Sequence, residues 1–201
     1  MENMNVLFVF LFLCVSSFAK SKLDIPLSKE VLPSKQQLLL PLKEDFVLGN
    51  KNAKVTMIIF DSYSCFHCAD FYKDTFPEIE KKYIKTGKIN FIHKEFPLDK
   101  IALFATKVVH CSVNPFMTMN TIYKKQSSFF VKNYEEKLLA LEGVDKSCVT
   151  NFNDNAIIKQ IYQYSKVLDI HSTPTIYING YELQKRGFQD ISIKIDEILA
   201  K

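Results

Sequence analysis

The chain has 201 residues, of which 47% are apolar and 24% charged, with a formal charge of +4. That balance suits one globular domain with a sizeable core, alone or with an insertion, and excludes a disordered or fibrous chain. The lysines are scattered rather than gathered into a basic stripe interleaved with aromatics, so nucleic acid is not an expected partner.

Val6 to Val15 (VLFVFLFLCV) is an unbroken apolar run, and Ser17 and Ala19 follow with the small side chains of a signal-peptidase site. As a helix this run would span only about 15 Å, against a hydrocarbon core of ~30 Å. Residues 1–19 therefore read as an export signal, with an uncleaved membrane anchor as the alternative because MENMN carries no Lys or Arg. Residues 20–45 hold Pro26, Pro33 and Pro41 without a clear period and read as an extended N-terminal arm.

The folded part is expected to begin near Phe46. Val55 to Phe60 (VTMIIF) reads as a buried strand, and ADFYKDTFPEIEKKYIKTGK after it as a helix kinked at Pro77 and capped by Gly87. Ile89 to Phe96 (INFIHKEF) reads as a second strand. Residues 98–168 are expected to be helical, with Ile101, Ala105, Val108 and Cys111 on one face, and Ile157, Ile161, Tyr164 and Leu168 on another. Thr175 to Ile178 reads as a strand, Asn179-Gly180 as a tight turn and Tyr181 to Gln184 as the returning strand. Ile191, Ile195, Ile198 and Leu199 mark a closing helix. The order is βαβ over 46–97, a helical insertion over 98–168, and ββα over 169–201.

Cys65 and Cys68 (CFHC) fall at the first strand-to-helix turn. Removing residues 1–19 would discard Cys14 and leave an even set, Cys65, Cys68, Cys111 and Cys148, which in an exported chain favours disulfides. A thiol at a helix start faces unpaired N–H groups and the positive end of the helix dipole, so its thiolate is stabilised. Cys65 is the expected nucleophile and leaving thiolate, Cys68 the more buried resolving partner, and His67 a source of charge or hydrogen bonding toward the Cys65 sulfur.

The element order, FDSYSCFHC over 60–68, Glu95-Phe96-Pro97, and Ser172-Thr173-Pro174-Thr175 before the hairpin resemble the DsbA-type thiol–disulfide oxidoreductases of bacterial envelopes. The resemblance covers most of residues 46–200. It implies an α/β fold, the thioredoxin fold with an inserted helical domain, and a cis Thr173–Pro174 bond facing the CxxC, with Thr173 beside the sulfurs. Phe66 departs from the Pro-His dipeptide of many such proteins. It also implies periplasmic unfolded polypeptides as substrates and reoxidation by a quinone-linked, DsbB-like membrane partner, with no cofactor of its own. The protein is expected to act as a monomer. Cys111 and Cys148 are expected to form a structural disulfide within the helical block, with two separate buried thiols as the alternative.

A buried acid often assists proton transfer under such a CxxC, but Ile59 stands six residues before Cys65. Asp61 and Glu95 are the substitutes, with surface or edge-strand roles open to each, and no acid is assigned. Three rival readings remain: a disulfide isomerase or reductase on the same fold, a metal site built on the cysteines, and a chaperone or binding module. The spacing of Cys111 and Cys148 does not supply the second close pair of a strong zinc signal, and metal ligands are expected to be none.

Overall fold

The computed structural model describes residues 32–201. The export signal expected at 1–19, and the arm as far as residue 31, lie outside them. Residues 32–201 form one compact unit.

A five-stranded sheet runs through it in the order β1-β3-β2-β4-β5. Its strands are β1 (Phe46–Gly49), β2 (Val55–Asp61), β3 (Ile89–Glu95), β4 (Thr175–Ile178) and β5 (Tyr181–Leu183). β2 and β3 are parallel, and the other pairings are antiparallel. β2 lies at the centre, with β3 and β4 on either side, and both of its faces are covered. Met57 and Ile59 point into a core shared with Tyr72, Phe76, Ile79, Phe91, Ile191 and Ile195. Ile58 and Phe60 point the other way, against Leu38, Ile92, Tyr164, Leu168 and Tyr177. Burial on both faces is why the strand reads as a continuous apolar run rather than an alternation.

The crossover from β2 to β3 is one continuous helical stretch with two wider turns: α2 (Phe66–Asp70), a π-helical turn (Phe71–Thr75), α3 (Phe76–Ile79) and a second π-helical turn (Glu80–Ile84). The Phe76 N–H reaches back five residues to Phe71 O just before Pro77, which has no N–H to give. The irregularity expected at the proline is thus spread over two i→i+5 turns. Gly87, at φ +68°, ends the stretch in the left-handed region.

The helical block consists of α4 (Lys100–His110), α5 (Pro115–Lys124), α6 (Gln126–Phe129), α7 (Tyr134–Leu139), α8 (Lys146–Asn151) and α9 (Asn155–Val167). α4 and α5 contribute to the first core, while α9 returns to cover the opposite face of the sheet. Asn179 and Gly180, both at positive φ, make the β4–β5 turn, and α10 (Phe188–Leu199) closes the fold with Ile191 and Ile195 fully buried.

Two elements differ from the sequence reading. β1 is a strand of four residues on the sheet edge, too short to have shown a period. Within the expected extended arm, Lys35–Leu38 form a helical turn, α1, with Ser34 and Gln37 in a capping box. Leu38 is buried by α1 in the second core, so this part of the arm is docked on the domain.

Candidate active site

β2 ends at Asp61, and a tight turn of residues 62–65 delivers Cys65 to the start of α2. Cys65 is the N-cap, with extended backbone (φ −78°, ψ 115°) and no side-chain cap. Its N–H donates to Ser62 O (3.0 Å), and its carbonyl accepts from the N–H groups of Cys68 and Ala69. Cys65 is partly exposed, whereas Cys68, one turn further in, is wholly buried, and both are free thiols.

The two thiols are driven apart. A hydrogen bond from Cys68 does most to pull Cys65 down to about 6; burial opposes it, and the Thr173 side chain and the N–H groups of Cys68 and His67 assist. Cys68 is pushed far up by burial, then by its bond to Cys65 and the charge of Asp61. Near neutrality one thiol is therefore a thiolate and the other holds its proton.

Thr173 and Pro174 stand opposite. The Thr173–Pro174 bond is cis. As a thiol, Cys65 Sγ donates to Thr173 O at 3.3 Å. The buried Thr173 hydroxyl has no partner in that state, which leaves it free to donate to the thiolate. His67 lies at the surface. Its ring packs 4.1 Å from that of the exposed Phe66 and makes no hydrogen bond to the sulfur, so the contribution of His67 comes from its backbone N–H. The ring instead lines a groove of about 200 Å³ with Asp70, Phe71, Asp74, Thr75, Pro174 and Arg186.

Beneath the thiols lies a buried polar assembly. Asp61 accepts from Tyr72 Oη (2.8 Å) and Tyr123 Oη (2.6 Å), and pairs with His93 Nε2 at 2.7 Å. Glu95 accepts from Tyr63 Oη (2.8 Å) and meets His110 Nε2 at 2.7 Å. The side chains of Asp61 and His93 are fully buried, so neither Asp61 nor Glu95 has the surface or edge role left open by the sequence. The strands carrying them are interior ones. Burial works against the charge on His93, but the charge and hydrogen bond of Asp61, with the charges of Glu95 and Asp45, together outweigh it and raise the imidazole. Burial likewise opposes the charge on His110, and the Glu95 hydrogen bond raises it.

Sequence reasoning did not find His93, His110, Tyr72, Tyr123 or Gln126. Gln126 Nε2 donates to Tyr63 O and Cys65 O across the active-site turn. Nothing in its local sequence marks it, because the fold alone brings α6 to that turn.

Cys111 and Cys148 are joined in a disulfide that ties the end of α4 to α8, with Cα atoms 5.6 Å apart. Among the described residues, no group of three or more His, Cys, Asp or Glu side chains is arranged to hold a metal ion. No described helix is long and apolar enough to cross a membrane.

The family model described as thioredoxin matches residues 42–197. The chain belongs to the thioredoxin family. The fold and the cysteine pair at the first βα turn are those of a thioredoxin-family protein of the DsbA type, with the helical insertion between β3 and β4. A relative from Rickettsia bellii, which carries the provisional name protein-disulfide oxidoreductase, is 31% identical over 78% of this chain and 65% of its own length. The chain thus spans somewhat less than two thirds of that relative. The crystal structure of Wolbachia pipientis alpha-DsbA1 superposes with a TM-score of 0.69 at 26% identity, covering 83% of this chain and 96% of that one. Oxidised BdbD from Bacillus subtilis shares the fold, with a TM-score of 0.64 at 22% identity over 80% of this chain and 96% of its own.

Proposed function

We propose that the protein is a thiol–disulfide oxidoreductase that introduces disulfides into exported, unfolded polypeptides. The observation that carries this reading is the asymmetry of the cysteine pair: a partly exposed thiol drawn down to about 6 beside a buried one pushed far up. In the oxidised protein, a substrate thiolate attacks Cys65 Sγ. The Cys65–Cys68 bond breaks, its electron pair leaves on Cys68, and Cys68 takes up a proton. A second substrate thiolate then attacks the substrate sulfur of the mixed disulfide and expels Cys65 as a thiolate. The substrate leaves as a disulfide, and two electrons remain on the Cys65–Cys68 dithiol.

Stabilising the Cys65 thiolate favours this direction, since the expelled sulfur is a good leaving group and the reduced protein gains stability. Thr173 and Pro174 present their backbone beside the sulfurs, and the adjoining groove is open to a peptide chain. The periplasm is the proposed compartment, and a quinone-linked, DsbB-like membrane protein the proposed acceptor of the electron pair. The name of the Rickettsia relative and the likeness to alpha-DsbA1 support the chemistry.

Mixing the oxidised protein with a stoichiometric amount of a reduced two-cysteine peptide tests the direction. Rapid transfer of the disulfide, with a reduction potential well above the ~−270 mV of thioredoxin, is expected. A potential near that of thioredoxin, with efficient rescue of a scrambled protein, moves the assignment to a reductase or isomerase. No exchange at all refutes the reading.

A further inference from the structure

Gln126 is the first residue of α6, and its side chain leaves the helical block to meet the turn that carries Cys65. Its Nε2 lies 2.7 Å from Tyr63 O and 2.9 Å from Cys65 O. Two carbonyls can be satisfied only by the NH₂ end of the amide, which fixes its orientation. Gln126 thus clamps the carbonyls on either side of Ser64. With the Cys68 and Ala69 N–H groups, it makes three donors converging on Cys65 O, while the Cys65 N–H is held by Ser62 O. The peptide units on both sides of Cys65 are pinned, although Cys65 has no side-chain cap of its own.

We propose that Gln126 is a positioning residue for Cys65: it fixes the turn so that the sulfur stays against its hydrogen-bond donors, and so governs how readily the thiolate forms. The inference rests on the thiol–disulfide exchange reading and adds a residue to it. The groups that favour the thiolate are the Cys68 thiol, the Thr173 side chain and the N–H groups of Cys68 and His67, all short-range donors. Hydrogen bonds weaken steeply as their angle and distance depart from ideal, so a small rotation about the Cys65 backbone would lose several at once. Gln126 bonds to backbone carbonyls and does not line the groove; it acts through the backbone. The same clamp links the helical block to the redox state. Closing the Cys65–Cys68 bond draws Cys65 Sγ toward Cys68, and the Cys65 carbonyl is held from α6.

The test uses Gln126→Met, which keeps length and apolar bulk but loses both donors, and Gln126→Glu, whose carboxylate faces the two carbonyls. Thermal unfolding, thiolate titration of Cys65 and the exchange equilibrium with glutathione are measured for each and for the wild type. The Met variant is expected to stay folded, to titrate Cys65 closer to an ordinary thiol, and to be about tenfold less oxidising in the exchange equilibrium. The Glu variant is expected to move further in the same direction. In the wild type, the Gln126 side-chain amide resonances should differ between the disulfide and dithiol forms. That measurement stands even if the variants misfold. Wild-type titration and equilibrium in the Met variant overturn the proposal, as do Gln126 resonances typical of a free side chain in both redox forms. A wild type that exchanges no thiols refutes the oxidoreductase reading itself, and the Gln126 proposal falls with it.

Discussion

Asp61→Asn probes the centre of the buried assembly. The carboxylate accepts from two tyrosine hydroxyls and faces His93, with the side chains of both Asp61 and His93 fully buried. Removing one partner of a buried pair costs about 3–5 kcal/mol, because the other charge is left uncompensated. Tyr72 and Tyr123 donate to different oxygens of Asp61, so asparagine keeps an acceptor for only one of them, but it lets His93 become neutral; the expected loss is nearer ~2 kcal/mol, and Asp61→Ala should approach the full range. For a domain of this size, ~2 kcal/mol corresponds to a fall in Tm of roughly 4–8 °C. The effect should depend on pH with a defined sign. His93 is raised in the folded state, so the pair contributes its full stability below the unfolded value of about 6.5 and loses it as pH rises through the folded value. The gap between wild type and Asp61→Asn in urea unfolding should be larger at about pH 6 than at about pH 9. A double-mutant cycle with His93→Gln isolates the coupling. A variant within about 0.5 kcal/mol of wild type, or a gap that widens as pH rises, would refute the argument.

Thiolate absorbance should titrate with a midpoint of about 6, vanish in Cys65→Ser, and move up in Cys68→Ala, because the Cys68 hydrogen bond contributes most to lowering Cys65. Thr173→Val should also raise the Cys65 midpoint yet leave thermal stability unchanged or higher, since the hydroxyl it removes is buried without a partner. Replacing Cys111 and Cys148 together by Ala opens a covalent loop with a sequence separation of 37 and should cost about 2–4 kcal/mol in urea unfolding, while dithiol oxidation persists.

Residues that solve a local problem were legible in the sequence. VTMIIF announces a strand covered on both faces, Asn179-Gly180 a turn with two positive φ angles, and the Ile191–Ile195 stripe a helix against the sheet. The cysteine pair is of the same kind, because its chemistry depends on a helix start within four residues. What escaped depends on distant partners. INFIHKEF reads as an apolar strand with polar residues in it, and all seven residues of β3, including Asn90, His93, Lys94 and Glu95, are buried. His93 meets Asp61 from 32 residues away. Lys94 reaches Asp45 and the Leu40 carbonyl, and so ties the segment after α1 to the sheet. A charged side chain in a sequence resembles a surface residue until topology supplies its counter-charge.

The pairing of these buried charges bears on how the active site is tuned. Asp61 is matched by His93 and Glu95 by His110, and three tyrosine hydroxyls occupy further lone pairs of the two carboxylates. With its oxygens committed to three donors, Asp61 is poorly placed to take the proton of Cys68, and its charge opposes ionisation of that thiol. Cys65 is governed differently. The influences that draw it down are local hydrogen bonds from Cys68, Thr173 and the start of α2. Burial and the bond to Cys65, with the charge of Asp61 added, thus keep Cys68 protonated, while the geometry of the 62–65 turn keeps Cys65 ionisable. The separation predicts different outcomes for two kinds of variant. Changes to the assembly should fall mainly on stability and on Cys68. Changes to the turn, its Gln126 clamp or Thr173 should move the Cys65 titration and the exchange equilibrium together. An Asp61→Asn protein with a fully shifted Cys65 and unchanged stability would mean that long-range charge, and not local hydrogen bonding, sets the reactivity of the pair.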